Sequence, residues 1–275
     1  MRLQEAPSHT PCHAAGPSDP VTVTPNVSVS VVSHGHGEQV MQLLRTLHAL
    51  CPVHVGQVIL TINMPEPALL AQVEGRRWAF ELTLLQNLQA KGFGANHNAA
   101  FERSTLAYFC VLNPDIDFVA DPFADLLLKL AEPSAGCSFP VQVDLAGRLQ
   151  DHARSVPSPA ALLQRYNPFH TLPQAYPQSS PDWVNGAFML FRSDVFRGVR
   201  GFDERYFMYC EDVDICLRLQ LAGYVLSRSD ATVTHAAHRS SRANFKHLAW
   251  HVVSLLRLWT SAPYLNFRRT KHPRQ

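Results

Sequence analysis

The chain has 275 residues, 46% of them apolar, enough to bury one sizeable core as a large α/β domain or a domain with an appendage. A formal net charge of +2 gives no reason to expect nucleic acid, and the basic run Arg268, Arg269, Lys271 and Arg274 reads first as a solvated terminus, second as a contact for phosphate or an anionic membrane. Six cysteines without a C-x-x-C pair, several inside apolar runs, point to a reducing cytoplasm.

Residues 1–25 are rich in Pro, Ser and Ala and lack the apolar core of a signal peptide, so a disordered leader is expected, and no apolar run is long enough to cross a bilayer. Val27 to Ser33 alternates and then turns fully apolar, as a buried first strand does, and ends at His34-Gly35-His36-Gly37. Val40, Leu43, Leu44, Leu47 and Leu50 follow at helical spacing until Cys51-Pro52. Val58 to Ile62 and Glu81 to Gln86 predict strands, the first ending at Asn63. A polar loop, Asn87 to Asn96, leads to a helix expected over Asn96–Arg103. Leu106 to Leu112 is an apolar strand stopped by Asn113-Pro114-Asp115.

Asp121-Pro122 starts a helix carrying Leu126, Leu127 and Leu130, and Pro133 to Val143 returns a strand. From Asp144 to Pro181 periodicity is lost, which predicts a long surface excursion. Asp182 to Phe191 reads as one strand with a glycine inside, with Ser193 capping a short helix after it. The stretch GFDERYFMYCEDVDICLR, Gly201 to Arg218, then runs into a helix from Glu211. Gly223 fits its C′ position, Val225 to Thr234 is a strand ending at His235, and Phe245 to Trp259 is a terminal helix. Strands alternating with helices predict a mostly parallel, doubly wound sheet whose ligands bind beyond the carboxyl ends of its strands.

The ordered set SHGHG, N-x-x-x-K-G-F-G-A-N-x-N, LNPD, WVNGAFMLFR, GFDERYFMYCEDVD and a late histidine resembles the family 2 glycosyltransferases, in their rhamnosyltransferase-like branch, over Val27 to Arg242. The resemblance implies a Rossmann-like GT-A domain over residues 26–242, followed by a C-terminal helix and basic tail over 243–275. It implies inverting transfer of a sugar, rhamnose in that branch, from a dTDP- or UDP-sugar to a hydroxyl of a cell-surface glycan or polyprenyl-linked acceptor, with Mn or Mg as cofactor. The expected place is the cytoplasm, with the terminal helix and tail offered to the inner face of the membrane. A sugar nucleotidyltransferase is the enzymatic alternative, disfavoured because Ser33 to Gly37 supplies no cation for a phosphate loop. A non-catalytic sugar-nucleotide or glycan-binding relative is the other.

The resemblance also distributes roles. Asp115 is the expected metal ligand, where the family has D-x-D and this chain has Asn113 at the first acidic position; Asp117 helps only if its turn aims inward. His235 matches a histidine that completes the metal shell, with His238 nearby. Asp212 is the expected general base: Asp214 has Arg218 four residues on for a partner, whereas Asp212 has Cys216. Val213, Cys216, Leu217 and Leu221 are expected to face the core. Glu211 is assigned to binding or capping, Asp203 and Glu204 to the turn before it. Ser33, His34, Asn63, Lys91, Gly92, Gly94, Asn98, Asn113 and Asp115 are the expected donor contacts, Asn98 having helix capping as its rival role. Trp183, Gly186 and Glu211 are the expected acceptor contacts, with Phe188 and Tyr209 as further members of a sugar platform or else core.

Overall fold

The computed structural model describes residues 24–159, 181–236 and 245–271. Its first half is a strand-helix alternation: β1 (Val27–Ser33), α1 (Gly37–Leu50), β2 (Val55–Ile62), α2 (Pro67–Glu74), β3 (Glu81–Gln86), α3 (Phe93–Phe101) and β4 (Tyr108–Leu112). The two-residue β5 (Ile116–Asp117), α4 (Phe123–Leu130) and β6 (Ala135–Val143) follow. Then come β7 (Ala153–Arg154), β8 (Trp183–Val184), β9 (Phe188–Arg192), α5 (Ser193–Gly198), α6 (Glu211–Leu221), β10 (Val225–His235), α7 (Phe245–Thr260) and α8 (Ala262–Lys271).

Among the described residues one sheet runs in the order β3-β2-β1-β4-β9-β6-β10-β5. β3, β2, β1 and β4 are mutually parallel and β10 is parallel to β6, while β9 is antiparallel to both β4 and β6. The expected mostly parallel sheet is therefore present, with one reversed strand in its middle. That reversal brings the start of β9 to the same edge as the ends of β1, β4 and β10, where a doubly wound sheet opens its crevice.

Alternation along the central strands supplies two cores. Val27, Val29 and Val31 of β1 pack toward α1 and α4, with Val40, Leu44, Leu47 and Leu126. On the opposite face Phe109, Val111, Phe139 and Phe191 meet Phe101, Phe196 and Ile215 from the helices there. Polar residues at buried strand positions find partners: Ser28 Oγ donates to Gln57 Oε1 (2.7 Å) and Ser30 Oγ lies 2.8 Å from His97 Nδ1.

Several elements differ from expectation. The segment Asp182 to Phe191 is two strands, because β8 leaves the main sheet to pair with β7, and the glycine turn between them is what allows it. α3 begins at Phe93, three residues earlier than predicted, since Gly92 takes an extended N-cap conformation. Ser193 is the first residue of α5, and its hydroxyl donates to the Leu106 carbonyl (2.8 Å) rather than capping. Leu221 is exposed, at the last position of α6. The C-terminal region holds two helices broken at Ser261, and Tyr264 and Phe267 of α8 pack with Val213 and Leu217 of α6. Gly223 adopts φ +89° after α6, as its C′ placement requires. The cysteines among the described residues are free and buried.

Candidate active site

α6 begins where two consecutive non-glycine residues, Tyr209 (φ 72°) and Cys210 (φ 67°), are held left-handed. L side chains adopt this conformation at a cost, which surrounding contacts must offset. The contacts are visible: Tyr209 Oη lies 2.9 Å from His247 Nδ1, Ser254 Oγ donates to the Met208 carbonyl (2.8 Å), and Phe207 lies against Trp250 with ring centroids 4.9 Å apart. The loop is thus held by α7, and it aims Glu211 and Asp212 at the sheet.

Asp212 is half-buried and its carboxylate is tied down on both oxygens. Oδ2 accepts the Gly186 N–H (3.2 Å) and Oδ1 the Val213 N–H (2.8 Å). Burial pushes the carboxyl up to about 6, against the opposing pull of those two N–H groups and of the Arg154 charge. Glu211 is buried, its Oε2 has no hydrogen-bond partner, and burial followed by the Asp212 charge drives its carboxyl well above the ordinary range. Both adjacent carboxyls are therefore raised, Asp212 to about 6 by burial and Glu211 by burial and then by the Asp212 charge. Asp214 goes to Arg218 as expected, Oδ2 to Nε 2.7 Å.

Gly186 connects this carboxylate to the sheet edge, since its neighbour Ala187 accepts the Asn113 N–H at 2.8 Å. Two residues past Asn113, Asp115 Oδ2 stands 3.4 Å from His235 Nε2 at the end of β10. Asp115 Oδ1 and His235 Nδ1 are both buried without a hydrogen-bond partner. Burial works to raise the Asp115 carboxyl, but the hydrogen bond and charge of His235, with His36 more distant, hold it below its ordinary value. Asp117 is exposed and accepts the N–H of Phe118, turned away from this pair. His238 lies outside the described residues.

On the other side of the crevice, Ser33 ends β1 buried with an unpartnered Oγ, and His34 is exposed with Nδ1 3.1 Å from Asn63 Nδ2. Asn63 differs from its expected role. Its Nδ2 faces His34 and the Lys91 carbonyl (3.0 Å), and its Oδ1 accepts from Asn87 Nδ2 and the Lys91 N–H (2.8 Å each). Two donors and two lone pairs are the whole capacity of an amide, so Asn63 fastens the loop and has nothing left for a base. Asn96 joins the same network through Asn87 and Lys91.

Asn98 sits inside α3, not at its cap. Its Oδ1 accepts the Phe202 N–H (2.9 Å), while Nδ2 donates to the Phe202 carbonyl and to Glu204. It brackets the turn, as do Gly92 and Gly94, whose role is close approach. A Cβ on Gly92 would stand 2.5 Å from the Phe207 carbonyl oxygen, and one on Gly94 2.7 Å from Phe202 Cβ. Gly92→Ala should therefore push the 202–210 loop off α3. We expect a loss of about 1–3 kcal/mol in thermal or denaturant unfolding, together with lower turnover.

Trp183 is half-buried, donates Nε1–H to the Ser155 carbonyl (3.0 Å), and carries the Arg154 guanidinium 5.3 Å over its ring. Phe188 is fully buried in the core and takes no part in a platform. Sequence reading missed Arg154, which lies in the aperiodic segment and reaches Asp212 only because β7 pairs with β8. It also missed His97, buried against Phe93 and Phe202, whose imidazole burial drives down to about 3.

No protein-family model matches the chain. The rhamnosyltransferase WbbL of Escherichia coli K12 is 33% identical over 256 residues, covering 84% of this chain and 91% of that protein. An N-acetylglucosaminyl-diphospho-decaprenol L-rhamnosyltransferase of Mycobacterium tuberculosis is 36% identical over 157 residues, about half of each chain (51%). Among solved structures, the mannosyltransferase PcManGT of Pyrobaculum calidifontis, in complex with GDP-Man and Mn2+, superposes with a TM-score of 0.60 at 16% identity, covering 92% of this chain and 71% of that one. GalNAc-T7 with UDP, GalNAc and Mn2+ gives 0.65 at 13%, covering 92% and 51%. These last two establish the GT-A fold, and identity across nearly the whole of the first relative establishes the rest: the chain belongs to the family 2 glycosyltransferases, in their rhamnosyltransferase branch.

Proposed function

We propose that the enzyme transfers rhamnose, with inversion, from a nucleotide diphosphate to a hydroxyl of a lipid-linked or growing glycan acceptor at the cytoplasmic face of a membrane. The observation that carries this reading is the placement of Asp212. It is a carboxylate ionising near neutrality, held by a backbone N–H of the turn that also leads to Asn113 and Asp115.

Asp212 takes the proton of the acceptor hydroxyl as that oxygen attacks the anomeric carbon. The bond from that carbon to the diphosphate breaks with its electron pair on the leaving phosphate oxygen. Glu211, buried beside it with an unpartnered Oε2, is a hydrogen-bonding group for a sugar oxygen. Arg154, whose charge acts on the same carboxylate, lies over the Trp183 ring, and the pair offers a cation and an aromatic edge to the acceptor.

Asp115 and His235 would hold a divalent cation, which when bound offsets the charge of the diphosphate. Asp115 Oδ2 and His235 Nε2, 3.4 Å apart, are close enough to be two ligands of one cation, and an imidazole favours Mn over Mg. Among the described residues no group of three acidic, thiol or imidazole side chains forms a complete cage, so remaining positions fall to the diphosphate and water. Asn113 in place of an acid lowers the charge of the site and should weaken metal affinity. Nucleotide readout rests on His34, Ser33 and Lys91, since Asn63 is saturated.

A panel of dTDP- and UDP-sugars, followed by nucleotide diphosphate release with Mn, Mg or chelator and with lipid-linked acceptor, tests this. We expect turnover with a dTDP-deoxyhexose, lost on chelation and restored best by Mn. Asp115→Ala should raise the metal concentration for half-activity by about tenfold or more. A wild-type protein that turns over no donor under any condition overturns the enzymatic reading, and metal-independent turnover overturns the assignment of Asp115 and His235.

A further inference from the structure

α7 has two unlike faces. One buries Ser254, Leu255 and Leu258 and holds the 206–210 loop that leads into Asp212. The other leaves Leu248, Val252, Val253 and Leu256 exposed, between 47% and 57%, at positions i, i+4, i+5 and i+8 of one stripe. Leu265 of α8 is exposed as well, at 44%. A contiguous apolar stripe of this kind is unusual on a surface that meets only water.

Charge identifies what covers it. No aspartate or glutamate follows Asp230, while arginines and lysines continue to the end of the chain. The cleft beside the stripe is lined by Val253, Leu256 and Pro263 together with the guanidinium-bearing Arg205 and Arg257. On α8, Arg269 and Lys271 are exposed and Arg268 is half-buried. Arg205 pairs with Asp203 and Lys271 with Asp182, but among the described residues Arg257, Arg268 and Arg269 form no ion pair. An apolar face beside such an excess of cations complements the interface of an anionic bilayer, where aliphatic side chains enter the acyl boundary and guanidinium groups meet phosphates. A second protein surface of mixed charge would gain less from a rim with this excess of cations. Among the described residues no helix is long and apolar enough to cross a membrane, so the contact is one that lies on the surface.

We infer that the outer face of α7, with the cations of α8 and of the adjoining cleft, seats the protein on an anionic membrane surface and so presents the Asp212 crevice to acceptors in that membrane. This deepens the proposed function and rests on it for the acceptor. The docking itself needs no donor, so the two stand or fall separately.

The test is sedimentation of the full chain with vesicles of phosphatidylcholine containing one part in three phosphatidylglycerol, alongside pure phosphatidylcholine vesicles. Val252→Asp with Leu256→Asp forms one variant, Arg268→Glu with Arg269→Glu another, and Leu128→Asp, on the exposed side of α4, a control. We expect the wild type and the control to bind anionic vesicles and both double variants to bind about tenfold more weakly or worse, with melting temperatures little changed because only Arg268 among the substituted side chains is half-buried and the rest are exposed. Transfer to a water-soluble acceptor should be the same in all. Vesicle binding unaffected by either double variant, or absent in the wild type, overturns the inference. So does a wild-type dimer in solution that Val252→Asp with Leu256→Asp dissociates, which would assign the face to a second copy.

Discussion

Asp212→Asn is expected to lower kcat by about 10²–10⁴-fold while leaving donor binding near the wild-type level. An amide has no basicity to accept the acceptor proton, but it keeps the shape that sits between the Gly186 and Val213 N–H groups. One of those groups will face an NH2 instead of an oxygen, so a modest loss in melting temperature accompanies the change. The pH dependence separates loss of the base from loss of fold. Burial raises the Asp212 carboxyl to about 6, and the base works only when ionised. Wild-type kcat should therefore fall about tenfold per pH unit below that value and level off above it. In Asp212→Asn the residual rate should lose this limb, whereas Glu211→Gln should keep it, because the Asp212 carboxylate is still there to take the proton. Turnover in Asp212→Asn close to wild type, with the limb intact, would place the base elsewhere.

Arg218→Met should be the most destabilising single change in α6. The guanidinium pairs with Asp214, whose side chain is 2% exposed, and also donates to the carbonyls of Val199 and Gly201. Those carbonyls flank a turn in which Arg200 (φ 63°) and Gly201 (φ 58°) are both left-handed. Removing the cation leaves a buried carboxylate and two carbonyls without partners, a loss of about 3–5 kcal/mol, or roughly 10 °C in melting temperature for a chain of this size. The sign of its pH dependence follows from Asp214. Burial outweighs the attraction of Arg218 and keeps the Asp214 carboxyl above its ordinary value, and loss of Arg218 raises it further. A carboxyl whose folded pKa is raised contributes stability at low pH and loses it as pH climbs through the folded value. The deficit of Arg218→Met should thus be smaller at pH 5 than at pH 8. Equal small losses at both would show that the pair contributes little.

The fold was legible because its signals are local. Val27 to Ser33, Glu81 to Gln86 and Val225 to Thr234 have strand periodicity, and the glycine- and asparagine-containing breaks after the first two fall where the crevice opens. Elements too short for a period were not legible: β5 is two residues held by pairing with β10, and β8 turned away from β9 only to meet β7. The pairing of Asp214 with Arg218 followed from i,i+4 spacing, which a helix guarantees. Roles that depend on partners more than 20 residues distant did not follow. Asn63 and Asn98 look like ligand-binding amides in a loop, yet both are used up in fastening one segment to another.

By itself the sequence held the order of the strand-end motifs, on which the resemblance to the family rests, because each motif is a run of adjacent residues legible without the fold. It also singled out Asp212 among the acids of Gly201 to Arg218, by the partner that Asp214 has and Asp212 lacks. Only the tertiary structure decided what those residues can do. Burial raises the Asp212 and Glu211 carboxyls, the antiparallel β9 carries Gly186 to the Asp212 carboxylate, and the return of β10 sets His235 beside Asp115. Proton affinity and ligand geometry depend on distances between residues far apart in the chain, and those distances exist only once the sheet has closed.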